Sequence, residues 1–147
     1  MNEDLFQLGI KALITNSEGK ILLLKINPEK LKEFKGKPYY DIPGGRIHRD
    51  STIEETLKRE IEEETGITEI KRFKPFSMTL SNIRIPYGDT DTGLILSVFV
   101  CEIDSSAKII LSDEHTEYGW FGSKEASKLL KVKYPKEFTD KIAQLVK

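Results

Sequence analysis

A single cysteine, Cys101, in 147 residues rules out an internal disulfide and leaves stability to the core. No apolar run approaches the ~20 residues that a membrane-spanning helix needs. Charge of one sign is also lacking: the net charge is −1, so no global field favours nucleic acid or an anionic membrane. A phosphate-rich ligand would have to be held by local groups or by a metal. The start, Met1–Asp4, carries two acids and no basic segment, so it does not read as a signal peptide. No repeat of solenoid length, low-complexity stretch or linker divides the chain. With 38% hydrophobic and 32% charged residues, the expectation is one soluble, cytoplasmic domain over residues 1–147.

The pattern that is present changes along the chain. Leu8–Thr15 and Lys20–Ile26 are rich in Ile and Leu and flank Asn16-Ser17-Glu18-Gly19, which predicts a β-hairpin. Asn27–Pro38 is lysine-rich and broken by proline and glycine, as a loop or irregular helix would be. Tyr39–Ile42 reads as a short strand ended by Pro43-Gly44-Gly45. After Ser51 the period becomes helical, with Ile53, Leu57 and Ile61 on one stripe. Ser51 with Glu54, or Thr52 with Glu55, would make a capping box, and Gly66 would end the helix. Ile67–Thr79 and Thr92–Ile103 return to strand character, then Ser123–Leu130 and Pro135–Val146 read as helices. This order predicts an α/β (α+β) fold, a mixed sheet with helices packed on it.

The chemistry concentrates between Gly44 and Ile67. Glu60, Glu63 and Glu64 stand at i, i+3 and i+4, so they project from one side of the helix, beside the apolar stripe. Like charges at that spacing repel by roughly 0.2–0.5 kcal/mol per pair. They also crowd the C-terminal half of the helix, where the dipole disfavours anions by ~0.3–1 kcal/mol each. Oxygen ligands clustered in this way suit a hard cation, Mg²⁺ or Mn²⁺. A solvated acidic helix face is the plainer alternative.

The spacing decides between them. Gly45, five residues, Ser51, seven residues, then Arg59-Glu60-Ile61-x-Glu63-Glu64-x-Gly66-Ile67 resembles the Nudix box at all but one of its defined positions. Average residue usage would produce such a match on the order of once in ten thousand chains of this length. The departure is Ser51, where the family has glutamate; Asp50 and Glu54 are near, and serine could act there as the helix N-cap.

The resemblance implies a Nudix-like α/β/α sandwich and a Mg²⁺- or Mn²⁺-dependent hydrolase that attacks a phosphoanhydride bond with water. It implies metal ligation by Glu60, Glu63, Glu64 and the Gly45 carbonyl, with Arg59 orienting a glutamate. The general base is left open among Glu63, Glu64 and Glu114, the last in a Ser112–Trp120 stretch that resembles the family's acidic closing loop. His115 reads as structural or exposed, and Trp120 and Phe121 as core. Arg46, next to Gly45, and Tyr40 are candidates to bind substrate. Phe34, Tyr39 and Tyr87 are further aromatics, and Lys25, Lys35 and Lys37 further cations, that loops could present to it. The expected substrate is a nucleotide-type small molecule, a nucleoside triphosphate first. Alternatives are a dinucleoside polyphosphate, a nucleotide sugar of the ADP-ribose type, or silent nucleotide sensing. No membrane or nucleic-acid partner is expected, and a homodimer is compatible with the family.

Overall fold

Two apolar faces on one sheet organise this protein. In the computed structural model, which describes residues 2–30 and 37–145, eight strands and three helices follow one another as β1 (Phe6–Thr15), β2 (Ile21–Ile26), β3 (Tyr40–Asp41), β4 (Gly44–Arg46), α1 (Ile53–Thr65), β5 (Arg72–Leu80), β6 (Ile85–Tyr87), β7 (Thr90–Glu102), β8 (His115–Phe121), α2 (Ser123–Leu129) and α3 (Lys136–Ala143). The main path is β3-β2-β1-β7-β5, with β4 on β1, β6 on β7 and β8 on β2. β1 and β7 run parallel over ten paired residues, while β2, β4, β5 and β8 join antiparallel. The sheet is therefore mixed, as expected.

The alternation of β1 explains the layers. Ile10, Ala12 and Ile14 pack on one side with Leu22, Leu24, and Leu57 and Ile61 of α1. Leu13 faces the other side with Leu23, Leu96, Val98, and Ala126, Phe138 and Ile142 of α2 and α3. Both faces of β1 and β7 are covered, which is why their sequences are apolar throughout. Burying Leu57 and Ile61 contributes roughly 1.5–3 kcal/mol each. The result is an α/β/α sandwich.

Local signals set the ends. The hairpin turns on Asn16, whose Oδ1 accepts from the N–H groups of Glu18 and Lys20, both at 3.0 Å. Of the two capping boxes, the one formed is Thr52 with Glu55, so Ser51 lies before the cap and does not serve as it. Gly66 adopts the left-handed conformation (φ 76°) and donates to the Glu62 carbonyl. Ile67–Lys71 do not join the strand expected from Ile67; they carry the chain from that cap to the sheet edge, and β5 starts at Arg72. The C-terminal helices begin and end close to expectation, although the last expected residue, Val146, lies outside the described residues, as do 31–36 of the expected Asn27–Pro38 loop. No described helix is long and apolar enough to cross a membrane.

Candidate active site

Because Leu57 and Ile61 fix the rotation of α1, Glu60 and Glu64 are carried to the edge where β4 passes. Glu64 is only 3% exposed, and its Oε2 accepts the Gly44 N–H at 3.1 Å. Gly44 has φ 151°, and a side chain there would run into the Ile10 carbonyl of β1. A methyl group at Gly45 would collide with Glu60 Oε1. Glycine is required at Gly44, where the strand backbone leaves no room, and at Gly45 a side chain would displace the Glu60 carboxylate. Glu60 is half-buried and Glu63 exposed.

The opposite wall comes from the chain entering β8. The Asn27 backbone donates to the Glu114 carbonyl and its side chain to the Asp113 carbonyl, both at 2.9 Å, and Lys30 pairs with Asp113 at 3.1 Å. The stretch expected to be an acidic loop is thus a turn over Asp113 and Glu114 that leads directly into a strand, with His115 opposite Ile26. Glu64, Glu114 and His115 each present a ligand atom, all within 4.8 Å of one another. They line one chamber of about 170 Å³ with Lys11, Ile26, Lys30, Tyr39, Asp41, Gly44 and Lys133.

Burial and neighbouring charges perturb the titrating groups of this chamber. Burial pushes the Glu64 carboxyl up to about 8, and Glu60 and Glu114 add to this against the pull of Lys11 and the Gly44 N–H. Glu60 is raised by burial, then by the charge of Glu63 and a hydrogen bond with it. His115 is lowered by burial to about 4, so its 3.6 Å approach to Glu64 joins two neutral groups at neutral pH and is no ion pair. Buried carboxylates that raise one another, all presenting oxygen, fit a hard divalent cation. The buried Arg59 Nη2 and His115 Nδ1 have no hydrogen-bond partner among the described residues.

Comparison with known proteins settles the assignment. The NUDIX domain matches over residues 5–142. The chain belongs to the Nudix family. A search of curated protein sequences finds no match. Among solved structures, a MutT protein from Methanosarcina mazei Go1 is 28% identical, with a TM-score of 0.66 over 97% of this chain and 94% of that one. An Ap4A hydrolase of C. elegans is 15% identical, with a TM-score of 0.69 and 92% of both chains covered. The E. coli dihydroneopterin triphosphate pyrophosphohydrolase is 18% identical, with a TM-score of 0.66 over 97% of both. With the Nudix family and fold shown, the enzyme class expected from the sequence, a hydrolase acting on acid anhydrides, stands.

Within this Nudix domain the expected site residues are not all placed alike. Glu64 and Glu114 line the first chamber, Glu60 lies against Gly45, and Glu63 is exposed beside Glu60. Arg59 Nε lies 3.8 Å from the adjacent Glu60, and its charge also acts on Glu55 one turn back. Arg46 lines a second chamber of about 150 Å³, with Gly9, Lys11, Gly44, Gly45, Ile85, Leu94, Leu96 and Lys133, and donates to Gln7 at 2.7 Å. Tyr40 lines neither chamber: its ring meets Phe121 edge-on at 5.5 Å, beneath Lys25. Its neighbour Tyr39 lines the first chamber instead. Trp120 and Phe121 pack against the core, as expected. Phe34 and Lys35 lie outside the described residues.

Sequence reasoning missed a buried cluster at the site. Asp41 Oδ2 receives Lys11 at 3.2 Å and Lys133 at 2.7 Å, and its Oδ1 receives the Tyr134 hydroxyl at 2.6 Å. Burial alone would push the Asp41 carboxyl up, but the two ammonium groups and their hydrogen bonds hold it well below the usual carboxylate range. The available signal was Lys11 itself, a charge inside the apolar run Leu8–Thr15.

Proposed function

We propose that this Nudix domain is a Mg²⁺- or Mn²⁺-dependent pyrophosphohydrolase that cleaves a phosphoanhydride bond of a nucleoside triphosphate. The observation that carries this reading is that Glu64 and Glu114 face one small chamber, with Glu60 beside it against Gly45, and that burial raises the carboxyls of both Glu64 and Glu60. In our reading Glu60, Glu63, Glu64 and the Gly45 carbonyl hold the cation. When bound, it neutralises charge on the phosphate oxygens and lowers the barrier to attack by water. Arg59 holds Glu60 beside Gly45 through a charged contact. Glu114 reaches in from the opposite wall and takes the proton of the attacking water. Tyr39 closes the side of the chamber, and Arg46 receives the outgoing part of the substrate.

Relatives named for MutT, Ap4A and dihydroneopterin triphosphate support a nucleotide-type small molecule, with the triphosphate preferred because Lys11 and Lys133 line both small chambers. We place the enzyme in the cytoplasm, where its buried, unpaired Cys101 would stay reduced. The test is hydrolysis of a panel of nucleoside triphosphates, dinucleoside polyphosphates and nucleotide sugars, with Mg²⁺ and with chelator, read as release of phosphate or pyrophosphate. Mg²⁺-dependent turnover, fastest on a triphosphate, is expected. Binding of nucleotide without turnover on any compound would overturn the catalytic reading.

A further inference from the structure

The Lys11–Asp41–Lys133 cluster carries more positive than negative charge, and it is buried. Side-chain exposure is 6% for Lys11, 7% for Asp41 and 15% for Lys133. One lysine would balance Asp41. A second buried ammonium is costly unless something else meets its charge. Each ammonium has three donors, and among the described residues Asp41 is the sole hydrogen-bond acceptor for both side chains.

The cluster is also built to stay in place. Lys133 lies in the turn between α2 and α3, and its backbone is clamped from β5's end. The Lys133 carbonyl accepts the Asn82 N–H at 2.8 Å and the Ser81 hydroxyl at 2.9 Å. The Asn82 side chain donates to the carbonyls of Lys131 and Tyr134, at 3.2 and 2.9 Å. Lys11 is fixed by its place in the central strand, opposite Gly44 of β4.

Position gives the pair its use. Lys11, Lys133 and Gly44 line both the chamber of Glu64 and Glu114 and the chamber of Arg46. Neither chamber alone reaches the ~300 Å³ at the low end of small-ligand sites. A substrate gripped at the carboxylates that extends into the second chamber passes the two lysines, and the remaining walls there are Gly9, Gly45, Arg46 and apolar Ile85, Leu94 and Leu96.

We propose that Lys11 and Lys133, held together by Asp41, form an anion-receiving subsite for a substrate phosphate lying outside the metal-held anhydride, which makes this enzyme prefer triphosphates to diphosphates. This rests on the hydrolase reading above for its kinetic consequence but not for its binding consequence. Asp41 is a positioning residue, and the lysines touch the substrate.

The experiment titrates inorganic triphosphate into metal-free protein by calorimetry and measures kcat and KM with Mg²⁺ for a nucleoside triphosphate and the matching diphosphate. Lys133→Met should weaken triphosphate binding roughly ten-fold or more, the loss expected for a hydrogen bond to a charged group. Lys133→Arg should restore most of it, and Lys128→Met on the exposed surface of α2 should change nothing. KM for the nucleoside triphosphate should rise by a similar factor in Lys133→Met, with kcat within about three-fold, while KM for the diphosphate stays put. Should Lys133→Met fail to fold, Lys133→Gln keeps a donor to Asp41 without the charge and serves the same test. Unchanged inorganic triphosphate binding in the folded variant overturns the subsite, as does an equal KM rise for both nucleotides. Absence of turnover in the wild type, with triphosphate binding lost in Lys133→Met, would sink the hydrolase reading and leave the subsite standing.

Discussion

Replacing Glu64 by glutamine should stabilise the metal-free protein, and by more as pH rises. The carboxyl ordinarily titrates near 4.5 and is pushed up to about 8 by burial in the folded chain. A raised acid means that the folded state holds a proton which the unfolded state releases. Stability therefore falls as pH rises from about 4.5 to about 8. At 1.36 kcal/mol per pH unit, the penalty at pH 7 is on the order of 3 kcal/mol. Glutamine keeps an oxygen for the Gly44 N–H and removes the titration. His115 works in the opposite direction: it is lowered from 6.5 to about 4, so its contribution is lost as pH falls through that window. The two effects oppose each other below about pH 6.5, and the loss from Glu64 stands clear above it. The assay is thermal unfolding of both proteins in chelator between about pH 5.5 and about pH 8. The gap should widen with pH to roughly 6–12 °C for a 3 kcal/mol change in a domain of this size. Parallel curves, or a gap that narrows as pH rises, would refute the argument that burial of Glu64 controls the site.

Three further outcomes follow from the same geometry. At pH 7, Mg²⁺ binding should release a proton from the Glu64 carboxyl, seen as a binding enthalpy that varies with the ionisation enthalpy of the buffer; no buffer dependence would count against the raised group. Glu114→Gln should lower kcat by roughly 10²–10⁴ while Mn²⁺ affinity falls little, whereas a collapse of Mn²⁺ affinity would make Glu114 a ligand and not the base. Thr52→Ala removes the hydroxyl that caps α1 and should cost about 1 kcal/mol in urea unfolding, while Ser51→Ala should cost less because the capping contacts belong to Thr52.

What the sequence disclosed was what is local in it. The period of Ile53, Leu57 and Ile61 places Glu60, Glu63 and Glu64 on one edge of α1, and the box spacing brings Gly45 beneath them. The choice between two capping boxes was open because both fit the spacing, and the backbone decides it by making Asp50 positive in φ and Thr52 extended. Glu114 was visible through the family resemblance alone, since its place depends on β8 pairing with β2. Tyr39 and Tyr40 illustrate a finer limit: adjacent residues entering a strand face opposite sides, and one step of register exchanges their roles. The lysine cluster was least visible. Lys11 and Lys133 lie 30 and 92 residues from Asp41 in the chain, and the order of strands together with the seating of the α2–α3 turn on Ser81 and Asn82 brings them together.

The central claim is that the carboxylates gathered on α1 perform metal-assisted hydrolysis. Its most direct test is kcat/KM of Glu64→Gln against the wild type on the best triphosphate of the panel at saturating Mg²⁺, with folding of the variant verified by its unfolding curve. The account predicts a loss of roughly 10³-fold or more, in line with removal of a group that stabilises the transition state. A folded variant that retains activity within about three-fold of the wild type would contradict it.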